Sequence, residues 1–248
     1  MNACIVYLVD TWDTDNFNTS LECLQKNHPK YPIIAFHEAS LSKVMIEHWT
    51  KTYPITFVEI EFSLPAYPRE VLNKIPESFT IPDLCSFTMG YRHMCRFFSG
   101  EIFKRPELAK YKYILRLDTD SAILEPIDDV FAVMDESRSM YGFRLLEKEH
   151  PLCYEGFYET FEAAVSKVGW PPVALRKEVI YFTNFEVIDM DFFRTKQHEA
   201  VFDAMLKSGG FYIHRWGDAL FRYAYVNQFK APVHQYFFKY RHGGTVYT

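Results

Sequence analysis

The sequence has no Cys-x-x-Cys pair, no apolar run long enough to cross a bilayer, no internal repeat, no low-complexity tract and no surplus of positive charge. Each absence excludes something. The five cysteines, Cys4, Cys23, Cys85, Cys95 and Cys153, are odd in number and lack ligand spacing, so they signal neither a zinc site nor a disulfide framework. Reduced, mostly buried thiols are expected. A formal charge of -5 and a pI near 6.0 give no attraction for a polyanion, which argues against a nucleic-acid partner. A small phosphorylated ligand remains compatible with that charge, because one local site can override it. Ala3 to Val9 lacks the basic lead, length and cleavage site of a signal peptide. A chain of this make-up is expected in the cytoplasm or otherwise in solution, and in the Golgi lumen if it is cut from a longer anchored protein.

What the sequence does have is apolar and aromatic weight: 48% hydrophobic residues, with 23 Phe and 17 Tyr, enough to build one continuous core from 248 residues. Ala3 to Val9 is a continuous apolar run ending in Asp10 and Thr11. Phe17, Leu21 and Leu24 then recur at helical spacing before Pro29. Ile33 to Phe36, a helix marked by Leu41, Val44, Met45, His48 and Trp49, and Ile55 to Ile60 complete a βαβαβ start. This predicts an α/β fold with a mostly parallel sheet, whose ligands bind at the carboxyl ends of the strands. Four prolines between Phe62 and Pro82 predict an irregular surface segment. From Ser86 to Phe98 a helix is predicted, with Arg92 and Arg96 one turn apart, able either to fork a diphosphate or to pair with surface acids. Strands are predicted at Tyr111 to Leu117, Met140 to Leu145 and within Glu178 to Met190, and a helix from Thr195 to Ser208.

The most informative segment is Arg116-Leu117-Asp118-Thr119-Asp120-Ser121, which places two carboxylates where a buried strand enters a loop. Mg²⁺ or Mn²⁺ held by one or two carboxylates keeps sites open for phosphate oxygens and stabilises charge on a departing diphosphate. Asp-x-Asp also arises in ordinary turns and helix caps. Asp128 and Asp129, just before Val130 and Phe131, read as helix caps.

Several separated segments occur in a fixed order: Tyr91-Arg92-His93-Met94-Cys95-Arg96-Phe97, Tyr113 to Asp120, Asp129-Val130-Phe131, Asn184-Phe185-Glu186, Gly209-Gly210-Phe211-Tyr212, and Arg215-Trp216-Gly217-Asp218-Ala219. Together they resemble the fungal α-1,2-mannosyltransferases of glycosyltransferase family 15, from about Tyr91 to His242. The resemblance implies a single GT-A domain over residues 1–248, with 1–120 mainly binding nucleotide and 121–248 mainly acceptor and catalytic. It also implies GDP-mannose as donor, Mn²⁺, retention of configuration and a mannose-containing glycan acceptor. Carried over by position, Asp118 and His242 fall on metal ligands, with Asp120 completing the acidic pair. Tyr91 falls near the donor, Glu186 on the residue proposed as nucleophile, and Asp218 on a second active-site acid. Where the family has Glu-Pro, this sequence has Asp118-Thr119, the form common in other GT-A enzymes, so a UDP-sugar is an alternative donor.

Among the site candidates, a charge at Glu186 between apolar neighbours needs a partner or a task, unless its strand face meets solvent. Asn184, on the same strand face, is a candidate for orienting donor hydroxyls. Arg215 and Trp216 suit either a sugar cradle or the core. Two rivals remain. A nucleotidyltransferase would need a phosphate loop that Val9-Asp10-Thr11-Trp12-Asp13 does not provide, and a non-catalytic glycan-binding protein would use aromatics such as Tyr91, Tyr212 and Trp216.

Overall fold

The structure, a computed structural model, describes residues 2–248. Strand β1 (Ala3–Val9), helix α1 (Thr14–Asn27), β2 (Ile33–His37), α2 (Lys43–Thr52) and β3 (Ile55–Glu59) form the βαβαβ start. A short helix α3 (Arg69–Leu72) and the hairpin β4 (Phe79–Ile81) and β5 (Cys85–Phe87) occupy the proline-rich segment. Helix α4 (Met89–Ser99) follows, then β6 (Tyr113–Leu117), β7 (Ser121–Ile123), α5 (Val130–Ser137), β8 (Tyr141–Phe143) and β9 (Leu146–Lys148). The chain continues through α6 (Phe157–Lys167), β10 (Val179–Tyr181), β11 (Phe185–Asp189), α7 (Met190–Phe193), α8 (Lys196–Lys207) and α9 (Gly210–Ile213). It ends with α10 (Asp218–Gln228), β12 (Val233–Gln235), β13 (Tyr240–His242) and β14 (Thr245–Tyr247).

The central sheet has the order β12-β8-β11-β6-β1-β2-β3. Only β11 is reversed; it pairs antiparallel with both β6 and β8. Both faces of the sheet are covered, which is why β1 reads as an unbroken apolar run: Cys4 and Val6 join one core layer, while Ala3, Ile5, Tyr7 and Val9 join the other. The predicted strand within Glu178 to Met190 is in fact two. Val179–Tyr181 leaves for a two-stranded sheet with β9, and Thr183 and Asn184 turn the chain before β11 enters the main sheet. All five cysteines are free, three of them buried. Among the described residues, no helix is long and apolar enough to cross a membrane.

Local signals account for the helix starts. The Asp129 carboxylate accepts from the Phe131 and Ala132 amides, and the Thr88 and Thr195 hydroxyls accept from the Tyr91 and His198 amides. Gly209, at φ +80°, supplies the left-handed turn between α8 and α9.

Three imidazoles, His28, His93 and His198, are buried and kept neutral. Burial is the main cause in each. At His93 the guanidiniums of Arg96 and Arg92 add to it and push the pKa down to about 4. A group that is neutral in the fold but takes up a proton when unfolded loses its contribution as pH drops below the unfolded value near 6.5, and the loss continues to about 4 for His93. The melting temperature is therefore expected to fall between pH 6.5 and pH 4.5, with a shallower slope in His93→Gln; a flat profile in the wild type contradicts this account.

Candidate active site

The carboxyl ends of the parallel strands open onto a cleft of about 860 Å³, roomy enough for a nucleotide carrying a sugar. Leu8, Val9 and Asp10 at the end of β1 line one side, and the segment after β6 forms the floor. Because β11 runs backwards, its entry rather than its exit lies at this edge. Phe185 is opposite Leu117, so Thr183 and Asn184 reach the cleft from the turn that precedes the strand.

The acidic pair is a tight turn in which the Ser121 amide donates to the Asp118 carbonyl at 3.0 Å. Strand β7 then pairs antiparallel with β13, in a register that sets His242 against Ser121. That pairing joins positions 121 residues apart in sequence and brings His242 Nδ1 to 3.0 Å from Asp120 Oδ1 and 3.3 Å from Ser121 Oγ. The Phe182 ring meets the His242 imidazole edge-on, with centroids 5.1 Å apart. Side-chain exposures of 33% for Asp118, 29% for Asp120 and 23% for His242 leave each open to the cleft.

Electrostatics separates the two acids. Burial raises the Asp118 carboxyl above its usual range, partly countered by Arg116 and His242. At Asp120 burial acts the same way, but the hydrogen bond and charge of His242 outweigh it and hold the carboxyl low. Burial disfavours the His242 cation, yet Asp120 and Asp118 raise its pKa overall. The two carboxylates thus favour the charged form of His242. A divalent cation fits the same place: one ligand atom each from Asp118, Asp120 and His242 lie within 4.8 Å of one another, and two carboxylate oxygens with one imidazole nitrogen suit Mn²⁺.

Beneath the turn lies Arg116, 2% exposed, on β6. Its Nε and Nη2 donate to Asp118 Oδ1 at 3.3 and 3.1 Å, and its Nη1 donates to Asp218 Oδ2 and, at 3.4 Å, to Glu186 Oε1. Asp218, the first residue of α10, lines the cleft and accepts from Thr183 Oγ1 at 2.8 Å. Burial would raise its carboxyl, but the charge and hydrogen bond of Arg116 prevail and keep it ionised. Tyr91 also lines the cleft; its hydroxyl accepts from Arg215 Nη2 at 2.8 Å, while Arg215 Nη1 donates to Glu149 at 2.8 Å. Arg215 adopts φ +55°, a strained conformation of the kind found at ligand clamps. Trp216 is core, its indole donating to the Glu155 carbonyl at 2.8 Å.

Two sequence expectations are corrected by position. Arg96 is not at the diphosphate. It is buried on α4, gives Nη1 to the Ser63 carbonyl and the Tyr212 hydroxyl, pairs with Glu101 at 3.0 Å, and does not line the cleft. Arg92 is likewise consumed by the carbonyls of Tyr212 and Glu77. Arg92 therefore holds loops, and Arg96 holds loops and pairs with the partly exposed Glu101; neither holds a ligand. Glu186 is not at the cleft either: it is 0% exposed, beneath Arg116. The sequence reading missed Arg222, Glu149 and Thr183. A signal for Arg222 was available, since an arginine four residues after Asp218 on one helix shares its face.

Six parallel strands and one reversed strand, with an Asp-x-Asp turn at the cleft, constitute the GT-A fold of nucleotide-sugar transferases. The chain belongs to the glycolipid 2-alpha-mannosyltransferase family, whose model matches residues 1–161 and 177–243. It is 34% identical over 149 residues to the probable mannosyltransferase KTR3 of Saccharomyces cerevisiae, covering 53% of this chain and 36% of that protein. The α-1,2 mannosyltransferase KTR1 of the same yeast is 26% identical over 230 residues, covering 86% of this chain and 53% of that one. The aligned regions thus span about a third to a half of those relatives. In structure, the chain is similar to core-mannan synthase A (CmsA/Ktr4) of Aspergillus fumigatus in its Mn/GDP form, with a TM-score of 0.83 and 21% identity over 98% of this chain and 74% of that one.

Mn²⁺ is expected to raise the melting temperature of the wild type, and Asp120→Asn and His242→Ala are each expected to abolish that rise while changing the metal-free melting temperature by only a few degrees. Retention of the full rise in both variants would place the cation elsewhere.

Proposed function

We propose that this chain is a metal-dependent, retaining mannosyltransferase that moves mannose from GDP-mannose to a mannose-containing glycan. The observation that carries this reading is the meeting of Asp118, Asp120 and His242 at the cleft floor. Family membership supports mannose as the sugar, and the Mn/GDP form of the Aspergillus relative supports the nucleotide and the metal. Bound between these three side chains, a divalent cation supplies positive charge to the donor's diphosphate, on which negative charge grows as the glycosidic bond breaks.

The protein's own groups then have separate tasks. The β1 edge of residues 1–120, with Asp10 and the exposed Trp12 at the cleft, seats the base and ribose, and residues 121–248 supply most of the acceptor side. Asp218, ionised and pointed by Arg116 and Thr183, faces the anomeric carbon and stabilises positive charge there. Asn184 is 2% exposed, lines the cleft, and has no partner among the described residues for either side-chain amide atom. Its own carbonyl is meanwhile fixed by the Asp118 amide, the Ser121 hydroxyl and the Tyr240 hydroxyl. A buried amide left open in this way is made to pair with ligand hydroxyls. Tyr91, braced by Arg215, adds a flat wall beside the donor.

Thermal-shift measurements with GDP, UDP and mannose, each with and without Mn²⁺, test the reading. A rise that needs both GDP and Mn²⁺, with transfer from GDP-mannose that EDTA abolishes, is the expected result. A UDP-selective rise would replace the donor, and a response to mannose alone would point to a glycan-binding protein. Asp218→Asn is expected to lower turnover roughly 100-fold while leaving the GDP and Mn²⁺ shift in place.

A further inference from the structure

We propose that Glu186 is a positioning residue rather than the group that meets the sugar: through Arg116 it holds Asp218 and Asp118 at the cleft, with Arg222 as its counter-ion. This rests on the transferase reading above.

The geometry separates Glu186 from any substrate. It is fully buried, and both its oxygens are occupied: Oε2 accepts from Arg222 Nε at 2.9 Å, and Oε1 accepts from Arg222 Nη2 and Arg116 Nη1, each at 3.4 Å. An attacking carboxylate needs an oxygen about 3 to 3.5 Å from the anomeric carbon. The Arg116 guanidinium fills the space on the cleft side, packed 3.5 Å from the centroid of the Phe98 ring. Arg222 closes the other side, over the rings of Phe193 and Phe103 at 4.6 and 5.0 Å, with Nη2 also donating to the Phe98 carbonyl at 2.9 Å.

These contacts form a closed ring. Antiparallel pairing of β11 with β6 sets Glu186 directly opposite Arg116. Helix α10 carries Asp218 and, four residues on, Arg222, which therefore share one face. Asp218 meets Arg116 and Arg222 meets Glu186, so two ion pairs fasten the start of α10 to the sheet. Two guanidiniums buried this deeply require anions, and Glu186 is the one both can reach from below. With Glu186 neutral, Arg222 has no carboxylate beneath the sheet, and its uncompensated charge acts on Asp218, one turn away on the same helix face, which loosens the alignment of Arg116 with Asp218 and Asp118.

A cycle at positions 186 and 222 tests this. Glu186→Gln is expected to lower kcat roughly 100-fold, with KM for GDP-mannose changed less than about threefold, since a displacement of about 1 Å is enough for such a loss. Removing both buried charges, in Glu186→Gln with Arg222→Gln, is expected to recover at least about tenfold of that loss, because the ring is again balanced. A double variant no more active than Glu186→Gln overturns the proposal. A second measurement avoids any folding defect: wild-type protein is incubated with GDP-2-deoxy-2-fluoromannose and Mn²⁺, then digested and analysed by mass spectrometry. No sugar on the Glu186 peptide supports the proposal, and a covalent sugar on Glu186 overturns it. A wild type that GDP with Mn²⁺ fails to stabilise overturns the transferase reading itself, and this role with it.

Discussion

The buried guanidinium of Arg116 is the interaction on which the rest of the site depends. It reaches Asp118 at the end of its own strand, Glu186 on the neighbouring strand and Asp218 at the start of α10. An arginine taken out of water in the middle of an apolar strand would be costly alone; three carboxylates make it tolerable, and their mutual repulsion is in turn contained by its charge and that of Arg222. The planar fork matters as much as the charge, since its separate N–H groups aim at separate acids. One residue thereby fixes two cleft acids relative to each other.

Above this network, the cleft floor is assembled by pairings that are distant in the chain. The return of the chain end as β13 against β7 delivers His242 beside Asp120, and the reversed direction of β11 delivers Thr183 and Asn184 to the same edge as the acidic turn. Arg116 satisfies Asp118 only from below, and the outward side of the carboxylate remains open to the cleft. In the function proposed above, a cation placed there would balance the acidic pair and provide for the donor's diphosphate in a protein of negative net charge.

Much of this was legible in the sequence where the signal is local. The β1, β2 and β3 runs are apolar throughout because both sheet faces are covered, and Asp118 and Asp120 stand out because a strand ends there. Helical spacing put Arg92 and Arg96 together, but it does not reveal what packs on that face; carbonyls from Ser63, Glu77 and Tyr212 claim both. Glu186 was recognisable as a charge needing a partner, whereas the identity of that partner rests on cross-strand register and on a helix 32 or more residues later. His242 emerged only through family resemblance, since nothing local distinguishes an imidazole near the chain end. The turn at Thr183 and Asn184 was hidden within a β-rich run, because cleft-facing polar residues there look like the polar side of a strand.

Locating the cation is the most direct test of the whole account. In crystals grown with MnCl₂ and GDP, an anomalous difference map at the manganese edge should place one peak within coordination distance of Asp118, Asp120 and His242. A peak elsewhere, or none at these three side chains while GDP occupies the cleft, would contradict it.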